Sequence, residues 1–494
     1  MKSILKCALK INKYIILIVI LPTFSGCVTV GPDYQRPGVA LPGAWNQKSS
    51  PGAVTASLDV RALANWWSTL NDPVLSSLID RAIKGNFDLR KAKARVREAR
   101  AQRGISVAGQ FPSVDATAAA SWSRNSESTG TGTTQDLYSA GFDATWELDL
   151  FGGKRRSVEA SQGDLEASEE DLRDVLVTLI SETAQNYVDA RAYQTRLAIA
   201  EANRDAQQET YQITQWRFEA GLTTKLDEEQ ARYNLEQTRS QIPTLEIGLE
   251  KAKNRLALLL GKHPGILEKE LSERKPLPAA TLDIAIGVPA DVLRSRPDVR
   301  NAERKLAAQT ARIGAATAEL YPKVTLTGSI GVETLSAGKL FSAGNYTFGI
   351  GPAIIWNIFD AGSIRKNIEV QNALQEQTLI KYEASILSAL EEVNNTLAAY
   401  AREQSRRQAL FEAVQAATRA VELANSRYES GLIDFSVVLD AQRSLLTFQD
   451  TLASSEASVL TDLISLYKAL GGGWTPMSPT PTASDEEKSL EMRR

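Results

Sequence analysis

The chain has 494 residues, enough for two or more ordinary domains. Its 43% hydrophobic and 23% charged content belongs to a folded protein and excludes a disordered one. A formal net charge of −3 leaves no basic surplus with which to hold nucleic acid.

The first 26 residues read as a secretory signal. Lys2, Lys6, Lys10 and Lys13 form a positive n-region, and Tyr14 to Leu21 is an apolar run too short to span a bilayer as a helix. Phe24-Ser25-Gly26-Cys27 resembles a bacterial lipoprotein box, with Phe24 where Leu is usual. Cleavage behind Gly26 makes Cys27 the only remaining cysteine, so it cannot close an internal disulfide. The resemblance implies that Cys27 is acylated. Cleavage also removes four lysines and no acids, which moves the formal charge from −3 to about −7. Residues 27–65 carry several Pro and Gly and read as an extended arm after the anchor. No later segment has 18 apolar residues in a row, so any further membrane insertion must use β-strands.

From there the chain repeats itself at an offset of 210. Phe111-Pro112-Ser113-Val114 matches Tyr321-Pro322-Lys323-Val324, and Trp146-Glu147-Leu148 matches Trp356-Asn357-Ile358. Arg217-Phe218-Glu219-Ala220-Gly221-Leu222 matches Arg427-Tyr428-Glu429-Ser430-Gly431-Leu432, and Leu260-Gly261 matches Leu470-Gly471. The copies, 89–261 and 299–471, are too long for solenoid units and read as two similar halves of one fold. We therefore expect a first repeat over 66–261, a proline-rich linker over 262–298, a second repeat over 299–474 and a polar, disordered tail over 475–494.

Each half has one element order: helix, two strands, a very long helix, a tight break, another helix. Pro112 and Pro322 end the first helices. Strands are expected at 113–123, 137–148, 323–334 and 345–356, with a polar external loop between Arg124 and Asp136. Val114, Leu326, Ile330 and Trp356 fall on an apolar face, and Asp143, Thr325 and Thr327 on a polar one, as in a membrane barrel with a wet lumen. Residues 363–430 contain neither Pro nor Gly and, as one helix, run roughly 100 Å. Ile386, Leu390, Val393, Leu397 and Tyr400, then Leu410, Val414, Ala417, Val421, Ala424 and Tyr428, repeat at heptad spacing. Gly221 and Gly431 follow the long helices where a left-handed break is easiest. Four strands cannot close a barrel and an open edge cannot face lipid, so several chains must pool strands; three chains give twelve.

Catalytic constellations are missing from the sequence. Its one histidine, His263, lies in the linker, which leaves no His/Cys metal site. Gly153-Lys154 and Gly338-Lys339 lack the Ser or Thr of a phosphate-binding loop. We expect no catalytic residue, no metal and no cofactor.

Trp66-Trp67, Asn71-Asp72-Pro73-Val74-Leu75 and Asn86-Phe87-Asp88-Leu89 resemble the opening of TolC-like outer-membrane efflux proteins. Gly31-Pro32-Asp33-Tyr34-Gln35-Arg36-Pro37 is similar to their NodT-type lipoprotein branch, and Arg296-Pro297-Asp298-Val299-Arg300 and Ile313-Gly314-Ala315-Ala316 complete the likeness. The resemblance spans nearly the whole mature chain. It implies an α+β membrane protein: a homotrimer with a 12-stranded outer-membrane β-barrel, four strands per chain, continued by a long periplasmic α-helical coiled-coil barrel. It implies an efflux conduit for small molecules, supplied by an RND-type inner-membrane pump through a periplasmic adaptor; a conduit of type I protein secretion shares the architecture. A purely structural coiled-coil envelope protein is the reading from another class, and the paired amphipathic strands argue against it. By resemblance, Asp440 lines the periplasmic gate, and Asp227 and Tyr428 tie helix pairs in the closed state. Ile433 stands where the joining basic residue is usual. Arg217, Gly221, Leu222, Arg427, Gly431 and Leu432 form the tip that docks the adaptor.

Overall fold

The computed structural model describes residues 29–38, 63–128, 132–278 and 294–474. Cys27, the signal, most of the arm and the tail lie outside the described residues.

A 3-10 turn at Trp66–Leu70 leads to α1 (Pro73–Gly85) and α2 (Phe87–Ala108). There follow β1 (Ser113–Arg124), β2 (Thr134–Leu148), α3 (Gly153–Glu219) and α4 (Lys225–Leu259). The second half gives α5 (Pro297–Ala318), β3 (Lys323–Thr334), β4 (Tyr346–Ile355), α6 (Ser363–Glu429) and α7 (Phe435–Ala469). The bounds of α2 and α5, β1 and β3, α3 and α6, and α4 and α7 each differ by 210 at both ends. β2 begins at Thr134 rather than 137, because Arg124 pairs with Thr134 and the strand extends into the polar stretch. Helix α4 continues through Pro243, a residue that removes one backbone donor. Among the described residues no helix is long and apolar enough to cross a membrane.

The fold divides into two compact units. The first comprises residues up to 38, 95–169 and 301–383. Its four strands form one antiparallel sheet in the order β1-β2-β3-β4. Register joins alternation into two faces. Ala116, Phe142, Ile330 and Phe348 pair in a row across all four strands, as do Val114 with Ala144, and Leu326 with Trp146 and Pro352. The neighbouring row carries Thr117 with Gly141, then Asp143 with Ser329 and Thr145 with Thr327. Thr117 Oγ1 donates to Asp143 at 2.9 Å on this polar face. Apolar residues on the other face stand bare: Trp122 is 79% exposed and Ile350 78%. The two hairpin bases are alike: the Trp146 indole donates to the Gln110 carbonyl at 2.9 Å, and Trp356 to Leu320 at 3.1 Å.

Below the sheet α5 packs on the start of α3. Asn301 donates to the Ala167 carbonyl at 2.6 Å, Arg304 pairs with Glu166 at 3.2 Å, and Arg312 pairs with Asp164. Helix approach there is close, since a Cβ on Gly163 would lie 2.9 Å from that of Ala308. The described arm lies along these helices. Buried Arg156 holds the Val30 and Gly31 carbonyls and Asp33, and Glu303 accepts from Tyr34 and pairs with Arg36. Burial beside Glu303 pushes the Tyr34 phenol far above its ordinary value.

The second unit comprises 39–94, 170–300 and 384–494. Its main core gathers Trp66, Leu75, Leu78, Ile79, Ile180, Tyr187, Leu256, Leu260, Leu463 and Ile464. Asp72 caps α1 by accepting from Val74 and Leu75 N–H and also takes the Tyr187 hydroxyl at 2.5 Å. Duplication is visible atom by atom: Asn86 Nδ2 donates to the Leu259 carbonyl, and its counterpart Arg296 donates to that of Ala469. Of the heptad positions, Ile386, Val393, Leu397, Ala417 and Ala424 are buried. The rest of that seam is half-buried.

Candidate functional site

The site lies within the second unit, where α3 turns into α4 and α6 into α7. Each long helix ends in a Schellman motif. Gly221 N–H donates to Phe218 and Leu222 N–H to Arg217; in the second hairpin Gly431 N–H donates to Tyr428 and Leu432 N–H to Arg427. The motif needs a left-handed residue, and the glycines have φ of 70° and 72°. With carbonyls satisfied internally, the turns leave Leu222 and Leu432 standing out, 69% and 73% exposed.

The next helices start differently. Thr224 and Asp227 form a capping box at α4. Asp227 Oδ2 accepts from Thr223 Oγ1 at 2.6 Å, Thr224 Oγ1 at 2.7 Å and Thr224 N–H at 3.0 Å. Partial burial raises the carboxyl, but the donations from Thr223 and Thr224 outweigh it and hold it below its ordinary value. Asp434, which caps α7, makes no side-chain cap bond.

Tyr428 packs on Phe435 with ring centroids 5.1 Å apart, and the Arg217 guanidinium lies 4.7 Å from the Tyr428 ring centre. These rings join a small core of Ala231, Ala424, Phe435, Val438 and Leu439, against which Ile433 is half-buried. Thus the two repeat-equivalent arginines diverge: Arg217 is half-buried over an aromatic ring, whereas Arg427 is exposed. Asp227 and Tyr428 each have their own partners, and the structure records no hydrogen bond between them.

Asp440 projects from α7 with its side chain 76% exposed and its carboxylate 3.4 Å from Arg443. Arg443 is anchored to α4: its guanidinium donates to Asn234 Oδ1 at 2.9 Å and to the Tyr233 hydroxyl, and lies 4.8 Å from that ring centre. Sequence reasoning singled out the acid and missed the base. The signal was there in the three-residue spacing that sets Arg443 beside Asp440 on one helix face. The anchoring to Tyr233, its own counterpart at offset 210, required the fold.

The arrangement presents exposed leucines and a solvated acid–base pair, a surface suited to contact and charge. Among the described residues no group of His, Cys, Asp or Glu could hold a metal ion.

The family model for outer membrane efflux proteins matches residues 78–262 and 288–472, two segments themselves 210 apart. The chain belongs to this family. It is an outer-membrane channel component of an efflux system. The channel is 33% identical to Nodulation protein T of Rhizobium leguminosarum bv. trifolii, over 92% of this chain and 96% of that protein. Likewise it is 33% identical to the cation efflux system protein CusC of Escherichia coli K12, covering 91% and 97%. Among solved structures the outer-membrane channel OprN superposes with a TM-score of 0.85 at 37% identity, over 91% of this chain and 100% of that one.

Proposed function

We propose that three copies of the channel pool their strands into one 12-stranded barrel and act as a passive exit duct for small molecules, without catalysis of their own. The observation that carries this reading is the sheet: four strands with two free edges and one apolar face. An open edge has unpaired backbone groups that lipid cannot satisfy, so the sheet must close with strands from other copies. In that closed form Val114, Leu326, Ile330 and Trp356 face lipid, while Asp143, Thr325 and Thr327 face the lumen. Cys27 carries the lipid anchor, two residues before the described arm.

The hairpin tips with Gly221, Leu222, Gly431 and Leu432 then meet a periplasmic adaptor, and an inner-membrane pump drives substrate. Relatives whose names refer to cation or antibiotic efflux favour small molecules over polypeptides as cargo. Asp440 and Arg443 recur three times around the axis and set the charge of the narrow entrance. Reconstitution in planar bilayers tests the duct: trimers that conduct ions support it, and a stable detergent-soluble monomer that conducts overturns it.

A further inference from the structure

The internal repeat breaks at one charged residue. Just ahead of α5, Arg296 is 8% exposed and staples three helices together. Its Nε and Nη2 donate to Asp298 at 3.0 and 2.9 Å, a two-pronged fork. Nη2 also donates to Glu392 on α6 at 2.7 Å, and Nη1 to the carbonyl of Ala469, the last residue of α7, at 2.7 Å. Burial disfavours the charged guanidinium, but the bonds to Asp298 and Glu392 outweigh it and hold the group above its ordinary value.

Subtracting 210 gives the first half: Asn86 ahead of α2, then Asp88, Glu182 on α3, and Leu259, the last residue of α4. Both acids are kept and the guanidinium is not. Asn86 Nδ2 still donates to the Leu259 carbonyl at 3.0 Å, and its Oδ1 accepts from Leu89 N–H at 2.9 Å. Asparagine is too short to bridge the two carboxylates as well. A cavity of about 380 Å³ lies there instead, and all four counterparts line it.

The lining is acidic at depth and apolar at the mouth. Asp174 joins Asp88 and Glu182, where the second half has Ala384. Burial, reinforced by Asp298, raises the Asp174 carboxyl. Arg255 is the one base of the lining and donates to Glu182 at 2.8 Å, so negative charge is in excess. Phe87 and Leu258, 58% and 56% exposed, stand where the second half has Pro297 and Lys468. Such a site suits a charged head on an apolar stem.

We infer that this cavity binds a guanidinium group carried on an alkyl stem, which holds the start of α2 against α3 as Arg296 holds the start of α5 against α6. Two sources have that chemistry: a free alkylguanidinium cation, and an arginine of residues 475–494, which include Arg493 and Arg494. The described chain ends beside the cavity. A Cβ on Gly473 would lie 3.8 Å from Val177 Cα, and the Trp474 ring centre is 5.0 Å from the Arg173 guanidinium. Those residues occupy the face of α3 next to that of Asp174 and Thr178. From Trp474 to Arg493 the chain can extend roughly 65 Å, ample for a return to the cavity.

The probe is n-butylguanidinium, an analogue of the arginine side chain, titrated into the full-length protein in detergent and followed by ligand-observed NMR. Saturable binding is expected, with neutral n-butylurea at least about tenfold weaker because it forfeits the charge-assisted bonds. Asn86→Arg supplies the head group from the chain itself, as the second half does, and should abolish binding. Asp88→Asn, nearly isosteric, should weaken it about tenfold. Arg493→Gln combined with Arg494→Gln separates the sources: tighter probe binding than in wild type assigns the cavity to the chain's own arginines, and equal binding assigns it to a free cation. No binding to wild type or to that double variant overturns the site. So does butylurea binding equally well, or probe binding that neither Asn86→Arg nor Asp88→Asn alters.

Discussion

Two acids near the hairpins do different work, and the difference is local chemistry. Asp227 is an acceptor saturated by the threonines that start α4. Asp227→Ala removes half of a capping box, and we expect a loss of roughly 1 kcal/mol. The folded carboxyl lies below its ordinary value, so its stabilisation is present above the unfolded pKa and is lost as pH falls through the folded one. Thermal unfolding should therefore separate wild type from Asp227→Ala at neutral pH and bring them together in acid. A difference that persists unchanged in acid would mean the carboxylate charge is not involved. Asp440, by contrast, is held only from Arg443 and is largely solvated. In the trimer proposed above Asp440 recurs three times; if it lines the gate, Asp440→Ala should raise resting conductance and weaken block by divalent cations, which a ring of carboxylates attracts. Arg443→Ala should also raise conductance, by releasing α7 from Tyr233 and Asn234, but should strengthen divalent block because the acid is left unpaired. Single-channel recordings in which both variants match wild type would remove this pair from the entrance.

At the scale of elements, the tip separates the turn from what it presents. Gly431 has φ of 72° and open space around it, so Gly431→Ala costs about 1–2 kcal/mol from backbone strain alone. Leu432 is exposed, and Leu432→Glu should leave folding and conductance intact. If the tip docks the adaptor, that variant fails to restore efflux in a deletion strain; full restoration would speak against docking there. The strands obey a sharper rule. Leu326→Arg places a charge on the apolar face and should cost about 2–4 kcal/mol at mid-depth, whereas Thr325→Arg, its neighbour on the polar face, should leave stability and shift ion selectivity. Equal loss of folded trimer in the two variants would contradict the assignment of faces.

For the whole molecule, the duplication was legible in the sequence because the two copies are separated by a constant offset. The structure repeats it in element bounds, in the Trp146 and Trp356 bonds, and in the Asn86 and Arg296 bonds. Strand faces were legible because a period of two assigns every side chain once one is known. The glycine breaks were legible because few other residues tolerate a left-handed conformation. Three things needed tertiary structure. Strand order and register depend on which hairpin lies beside which, and alternation is silent about slips of two. By resemblance Asp227 and Tyr428 belong to a tie in which Ile433 stands where the joining basic residue is usual; that Tyr428 and Ile433 pack with residues of other helices, Arg217, Phe435 and Ala231 among them, comes from the fold. Arg443 was visible as a neighbour of Asp440, but only the packing of α7 on α4 decides that its guanidinium rests on Tyr233. Local sequence fixes what a backbone segment becomes because propensity and period act over a few residues. Which side chains meet depends on contacts 209 and 210 residues apart in the chain, and those exist only once the helices are laid against one another.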